Sequence, residues 1–336
     1  MAILVARKQP AISINSDGGI IIDSTAIIDG HEDLVPRIIT HIHSDHTRRL
    51  RTSIQKSSLL IGTPLTLEWL KVLGFKIPDS KIVPLNYDQS IELGGLRISL
   101  REANHIPGTA QVLVETTDQR IVYTSDFKKP GERTPILDAD TLVIDAVYGD
   151  PAFQRPFDEY IDEVLTDLIR ELLAKGPVYI YGYYGKVQEV MDILRRNDLD
   201  APFVLSHKQY VLAKVAERFG MDFGDYLHAN SREAEDVMRD GWYVYFTHLT
   251  ALRRAPNGLG NHVLLSGWEF SRPFKRLGSR RWLVAFSDHA DFTGLVKYVE
   301  NAKPEQVIVN ARRSTAGEKF GDYIAKRLGV KVKLLP

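Results

Sequence analysis

The chain has 336 residues, 44% of them hydrophobic and 26% charged, enough for one large or two ordinary domains with a sizeable core. Lys+Arg and Asp+Glu balance at 43 each, so there is no global basic excess and any phosphate-binding surface has to be a local patch. Cysteine is absent, which excludes disulfides, zinc ribbons and cysteine nucleophiles and leaves a metal to His, Asp and Glu.

The opening MAILVARKQP is too short an apolar run for a secretory signal. No stretch reaches the ~18 apolar residues of a membrane helix, so a soluble, cytoplasmic protein with no membrane partner is expected. Ile12 and Ile14, then residues 19–22, read as two strands around the turn Ser16-Asp17-Gly18, and Asp23 ends the second. Residues 37–40 form a short buried strand that stops where the sequence becomes HIHSDH (41–46). Residues 64–73 read as a helix, with Pro64 in its first turn and Gly74 just past its end. Strand alternation returns at 96–100, 112–115 and 121–123, and TLVID (141–145) is another buried strand. From 155 the period changes: Phe157, Ile161, Val164, Leu165, Leu168 and Leu172 share a helical face that Gly176 stops. Strands at 178–181 and 203–205 alternate with helices at 188–194 and 211–219, which predicts a small parallel sheet of its own. From about Arg281 the pattern is strand (283–286), helix (293–299) and strand (307–309).

Three histidines and an aspartate within six residues need a reason. Past a strand, His41 and His43 can point to one side while Asp45 and His46 continue the turn. Neutral imidazoles and carboxylates around one point are what a borderline-soft divalent ion such as Zn²⁺ accepts. Other His and Asp residues also sit at strand ends: His105 in REANHIPGTAQV, Asp126 in IVYTSDF, Asp23, and His289 in AFSDHADF.

H-x-H-x-D-H, with His105 and Asp126 at these spacings, resembles the metallo-β-lactamase fold. LVIDAVYGDP (142–151), YIYGYYGKVQEV (179–190), LLSGWEF (264–270) and FSDHADF (286–292) resemble the β-CASP nucleases, in which a second domain is inserted into that fold. The likeness spans roughly residues 19–310. Its SGW and SDHAD segments are most similar to small prokaryotic exonucleases associated with DNA ligase.

The resemblance implies an α/β architecture: a metallo-β-lactamase αββα sandwich (1–150 and 279–336) with a β-CASP α/β domain inserted at 151–278. His41, His43 and His105 would hold a first metal, Asp45 and His46 a second, and Asp126 would bridge them. Asp145 would orient a ligand or the attacking water, His289 would donate a proton, and Asp23 would orient a histidine of the loop from behind. The cofactor would be one or two Zn²⁺, with Mn²⁺ an alternative in the second site. Lys186, in a glycine-flanked turn, with Ser266, Arg312, Arg313 and Ser314, are candidate substrate-binding residues. Tyr183, Trp242 and Trp268 are among the aromatic residues that could stack bases. Many RNA-acting members of the family place a further histidine where VIVNARRST has Asn310. The DNA-acting, Artemis-like members lack it as well, whereas ligase-associated relatives usually keep it.

The reading that follows is phosphodiester hydrolysis at single-stranded ends, preferably DNA in repair. The partners would be single-stranded DNA or RNA and other repair or RNA-processing proteins. A ribonuclease of the same fold is the second reading. A non-catalytic nucleic-acid-binding subunit is the third, and a small-molecule hydrolase ranks below it.

Overall fold

The computed structural model describes residues 11–254 and 260–336, so MAILVARKQP lies outside the described residues. Among them the strands form three sheets. The first is built in sequence order from β1 (Ile12–Ile14), β2 (Ile20–Ile22), β3 (Ala26–Ile28), β4 (Arg37–Ile39), β5 (Leu60–Gly62) and β6 (Ile82–Pro84). β1 to β3 are antiparallel, and from β3 onward every pair is parallel. Parallel neighbours need crossovers, and α1 (Leu50–Lys56) and α2 (Pro64–Val72) supply the last two. α2 starts where the sequence signals it, the Thr63 hydroxyl accepting the Thr66 amide (3.3 Å) and Pro64 in the first turn.

β7 (Ser90–Leu93), β8 (Leu96–Glu102), β9 (Ala110–Glu115), β10 (Arg120–Tyr123) and β11 (Thr141–Ile144) begin the second sheet. The chain then leaves it. α3 (Ile161–Leu173), β12 (Val178–Gly182), α4 (Lys186–Arg196), β13 (Phe203–Leu205), α5 (His207–Glu217), β14 (Tyr226–His228), α6 (Arg232–Asp240), β15 (Val244–His248), β16 (Asn261–Leu265), β17 (Phe274–Gly278) and β18 (Arg281–Val284) build the third sheet and its helices. The strand order there is β14-β13-β15-β12-β16-β18-β17, parallel except for β17. After α7 (Phe292–Ala302) the chain rejoins the second sheet with β19 (Gln306–Asn310), crosses over through α8 (Gly317–Leu328), and ends on β20 (Lys331–Leu335).

The third sheet extends past 278. β18 hydrogen-bonds in parallel to β16, Trp282 beside Val263 and Leu283 beside Leu264, so the segment at 283–286 begins in the inserted sheet and not in the returning core. Alternation along a strand does not say which sheet it will join.

Three apolar layers hold these parts. Ile20, Ile28 and Ile38 of the first sheet pack face to face with Ile98, Val112, Ile121 and Val143 of the second. The outer face of the second sheet, with Val122 and Leu142, is covered by Leu295 and Val299 of α7 and Phe320 of α8. The outer face of the first sheet meets Leu65, Trp69 and Leu70 of α2, and this core continues without a break into α3, α4, α5 and the third sheet. Trp69 seals that junction, fully buried, its Nε1–H donating to the Leu212 carbonyl of α5 (2.9 Å). Among the described residues no helix is long and apolar enough to cross a membrane.

Candidate metal centre

The topology brings distant residues to one edge of the sandwich. His41, His43, Asp45 and His46 follow β4, His105 follows β8 and Asp126 follows β10. β8 and β10 are both antiparallel to β9, so they run the same way and deliver His105 and Asp126 to the same end. His41, His43, His105 and Asp126 each offer a ligand atom within 4.8 Å of the others, and so do Asp45, His46 and Asp126. Asp126 belongs to both groups. Its Oδ2 lies 3.4 Å from His41 Nε2, 3.2 Å from His46 Nε2 and 3.6 Å from His105 Nε2, and its Oδ1 lies 3.7 Å from His289 Nδ1.

The far nitrogen of each ring is engaged elsewhere, which fixes the one that points inward. His46 Nδ1–H donates to Asp29 Oδ2 (2.8 Å), His105 Nδ1–H to the Asp288 carbonyl (2.8 Å) and His43 Nε2–H to the Tyr184 carbonyl (3.2 Å). His41 Nδ1 lies 3.1 Å from the Thr40 hydroxyl, which itself donates to Asp29 Oδ2 (2.6 Å). Such partners orient metal-bound imidazoles. The inward Nε2 atoms of His41 and His46 are buried without a hydrogen-bond partner, a cost that a cation bound among them would remove.

The charge balance agrees. Burial pushes His41 down to about 3 and lowers His43 and His105 as well, so these rings are neutral and their lone pairs free. Burial also opposes charge on His46, but Asp126, Asp45 and Asp29 around it outweigh burial and raise the ring well above its ordinary value. Burial raises the Asp126 carboxyl, yet the charge on His46 and the close approach of the His289, His41 and His46 rings hold it well below the usual range. A proton on His46 thus stands where the carboxylates call for a positive charge. The donor set of nitrogens and carboxylate oxygens fits divalent ions.

Several expected residues sit elsewhere. Asp23 is not behind the histidines; its Oδ1 accepts the Ala11 amide (2.7 Å), and Asp29 holds the position expected of it. Parallel pairing sets β3 beside β4, Ile28 opposite Ile38, which places Asp29 next to Thr40, whereas β2 runs antiparallel to β3, Ile22 opposite Ala26, and so carries Asp23 to the opposite end of the sheet. Lys186 is no surface cation: it is buried, paired with Asp288 Oδ2 (3.1 Å) and donating to the Phe286 carbonyl (3.3 Å). The Arg313 side chain is buried too, donating to the Tyr123 hydroxyl (3.0 Å) and the carbonyls of Asp29 (2.6 Å) and Asp45 (3.3 Å), with Asp145 Oδ2 at 3.7 Å. The Ser314 hydroxyl accepts the Ala146 amide (2.8 Å), Ser266 lines the cleft beside the histidines, and Arg312 is exposed. Asp145 is buried, bonded to the Tyr123 hydroxyl (2.5 Å), and burial lifts it to about 6 against the pull of Arg313. Asn310 turns its amide to the Gly18 carbonyl (3.1 Å) and lies in neither group.

Two braces gave no sequence signal as motifs. Arg37, fully buried, donates to the carbonyls of His46 (2.8 Å) and Arg48 (3.0 Å) and so holds the loop from beneath. Arg155 donates to the carbonyls of His289 (2.7 Å) and Gly267 (3.1 Å). A charged residue leading an apolar strand, as Arg37 does, was the available hint.

A cleft of about 780 Å³ opens over the centre, between the sandwich and the inserted part; His43, Asp45, His289, Tyr183, Ser266 and Trp268 line it. A sandwich with histidines and aspartates at one edge and an inserted sheet facing them defines a class. Residues 31–163 match the family described as Beta-lactamase superfamily domain. The "Uncharacterized protein in lig 3'region" of Acidianus ambivalens is 39% identical over 41% of this chain and 99% of its own length. RNase aCSPSF2 of Saccharolobus solfataricus is 25% identical over 95% of this chain and 79% of its own. The 5' exonuclease Apollo of Gallus gallus is 27% identical over 85% and 61%. A protein of unknown function from Enterococcus faecalis V583 shares the fold, with a TM-score of 0.61 and 16% identity over 91% of this chain and 81% of that one. The chain belongs to the metallo-β-lactamase-fold proteins of the β-CASP nuclease family.

Proposed function

We propose that this protein is a zinc-dependent nuclease that hydrolyses phosphodiester bonds at single-stranded DNA ends. The observation that carries the reading is the pair of ligand groups sharing Asp126 at the foot of an open cleft. His41, His43, His105 and Asp126 would hold one divalent ion, and Asp45, His46 and Asp126 a second. Such ions supply Lewis acidity, a nucleophilic water at neutral pH and a clamp on the phosphate oxygens. The chain's own groups do the rest. Asp126 bridges the two groups and sets their spacing. Asp145, held by Tyr123 and Arg313, stiffens the second group's loop through the Arg313 contact to the Asp45 carbonyl. His289, a quarter exposed on the cleft wall, passes a proton to the departing sugar oxygen.

Asn310, where many RNA-acting members carry a histidine, and Apollo among the relatives favour DNA. RNase aCSPSF2 among the relatives favours the second reading, a ribonuclease. End-labelled single-stranded DNA and RNA of matched sequence, digested with added Zn²⁺ or Mn²⁺ beside a His43→Ala control, separate them. The expected result is loss of DNA with RNA spared and an inactive control. Preferential loss of RNA installs the ribonuclease reading, and binding without cleavage of either strand would make the protein a scaffold.

A further inference from the structure

The rim of the cleft exposes large aromatic surface. Trp268, 57% exposed, lies just past β16, and Tyr183, 49% exposed, just past β12. These strands are parallel neighbours with Tyr181 opposite Leu264, so both rings leave the same edge of the third sheet, the carboxyl ends where open α/β sheets bind ligands. Exposed as it is, Trp268 is not free. Its ring stands edge-on to Tyr148 (centroids 5.1 Å apart, 79°), Phe153 (5.8 Å, 83°) and Phe270 (6.4 Å, 88°), and the two phenylalanines stack on each other at 4.9 Å.

Arg155 fixes this cluster to the reaction centre. Its guanidinium lies 4.6 Å from the Tyr148 ring centre and 5.4 Å from that of Phe270. It donates to the Gly267 carbonyl, next to Trp268, and to the His289 carbonyl, and is held in turn by both oxygens of Asp158 (3.0 and 2.9 Å). Only glycine fits at 267, because a Cβ there would collide with the Tyr148 hydroxyl. One buried cation therefore ties the tryptophan loop and His289 into a single piece. A rigid, exposed π face beside the centre costs little ordering on binding, and it is the surface on which unpaired bases stack.

We propose that Trp268 is the stacking platform for the base of the nucleotide carrying the departing oxygen, so that the substrate is an unpaired end and not a duplex. The proposal rests on the nuclease reading above. Paired, stacked bases have no free face to offer the cleft wall. The side is assigned because Trp268 shares its brace with His289, which faces the departing oxygen.

The test uses oligodeoxynucleotides with a tetrahydrofuran abasic residue on one or the other side of the first scissile bond, cut by wild type, Trp268→Leu and Trp268→Phe, with metal content and folding checked for each. The position of phosphate on the products identifies the nucleotide that kept the departing oxygen. Loss of the base on that side slows wild type about 5- to 150-fold. Trp268→Leu slows the intact strand by a similar factor and is slowed no further by the abasic residue, while Trp268→Phe retains most activity. A Trp268→Leu enzyme equal to wild type, or an abasic penalty unchanged in it, overturns the proposal. A penalty confined to the other side overturns the assignment of side. A metal-loaded wild type that cuts no strand overturns the nuclease reading itself, a different outcome from an active enzyme indifferent to Trp268.

Discussion

Asp29 gathers three donors: the Thr40 amide (2.8 Å), the Thr40 hydroxyl and His46 Nδ1–H. Replacing it with alanine frees His46 to turn and lowers metal affinity about 10- to 100-fold, measured by competition with a chromogenic chelator. Asp23→Ala leaves affinity unchanged, since its carboxylate binds only the Ala11 amide among the contacts described. His289 differs in kind, because its backbone is clamped by Arg155 and Ser287 while its ring nitrogen Nδ1 has no hydrogen-bond partner. His289→Ala retains its metal by elemental analysis and loses about 10²- to 10⁴-fold in turnover; loss of metal in that variant would make His289 a ligand instead. That His41, His43, His46, His105 and Asp126 converge was legible because crowded histidines at strand ends have few other uses. Asp29 was not: GIIIDS and TAIIDG look alike in sequence, and only the pairing of β3 with β4 separates them.

The inserted element is docked by buried charge as well as by apolar contact. Lys186 and Glu189, one turn apart on α4, reach Asp288 (3.1 Å) and Lys128 (2.6 Å), and Lys128 also donates to the Ser287 carbonyl (3.1 Å). Both pairs are at most a tenth exposed, so removing one partner leaves a desolvated charge. Lys186→Ala should cost about 3–5 kcal/mol in unfolding free energy, read from urea titration, and Asp288→Asn in the same chain should recover part of it. A loss of nucleic-acid affinity with stability intact would restore Lys186 to the substrate-binding role its sequence setting suggests. Gly182 and Gly185 around a lysine read the same in sequence whether the lysine meets a phosphate or an aspartate from a loop a hundred residues away. The helices and strands themselves were legible where one period dominates, as in α2, α3 and β12. The sheet to which β18 belongs depends on pairing with β16, which no local pattern encodes.

The molecule as a whole carries no net charge, so its hold on a polyanion depends on where the arginines lie. One exposed group flanks the metal loop: Arg48 and Arg49 follow His46, and Arg312 packs by Gly18 in the turn whose Asp17 pairs with Arg49 (3.6 Å). Arg313, next in the chain, touches the Asp45 carbonyl, so this patch borders the second ligand group, with Asp45 between it and the cleft that Trp268 lines. A strand lying across the centre would have its bases toward the tryptophan and its phosphates toward the arginines. These two contributions answer differently to salt. Stacking is nearly indifferent to ionic strength, whereas each phosphate neutralised on a single strand contributes about −0.7 to the slope of log affinity against log salt. The double variant Arg49→Ala, Arg312→Ala should therefore bind single-stranded DNA more weakly at low salt and show a slope shallower by about 1.4. Trp268→Leu should weaken binding with the slope unchanged. Fluorescence anisotropy of a labelled strand across a salt series reads both; an unchanged slope in the arginine variant would mean that the phosphates run along another face.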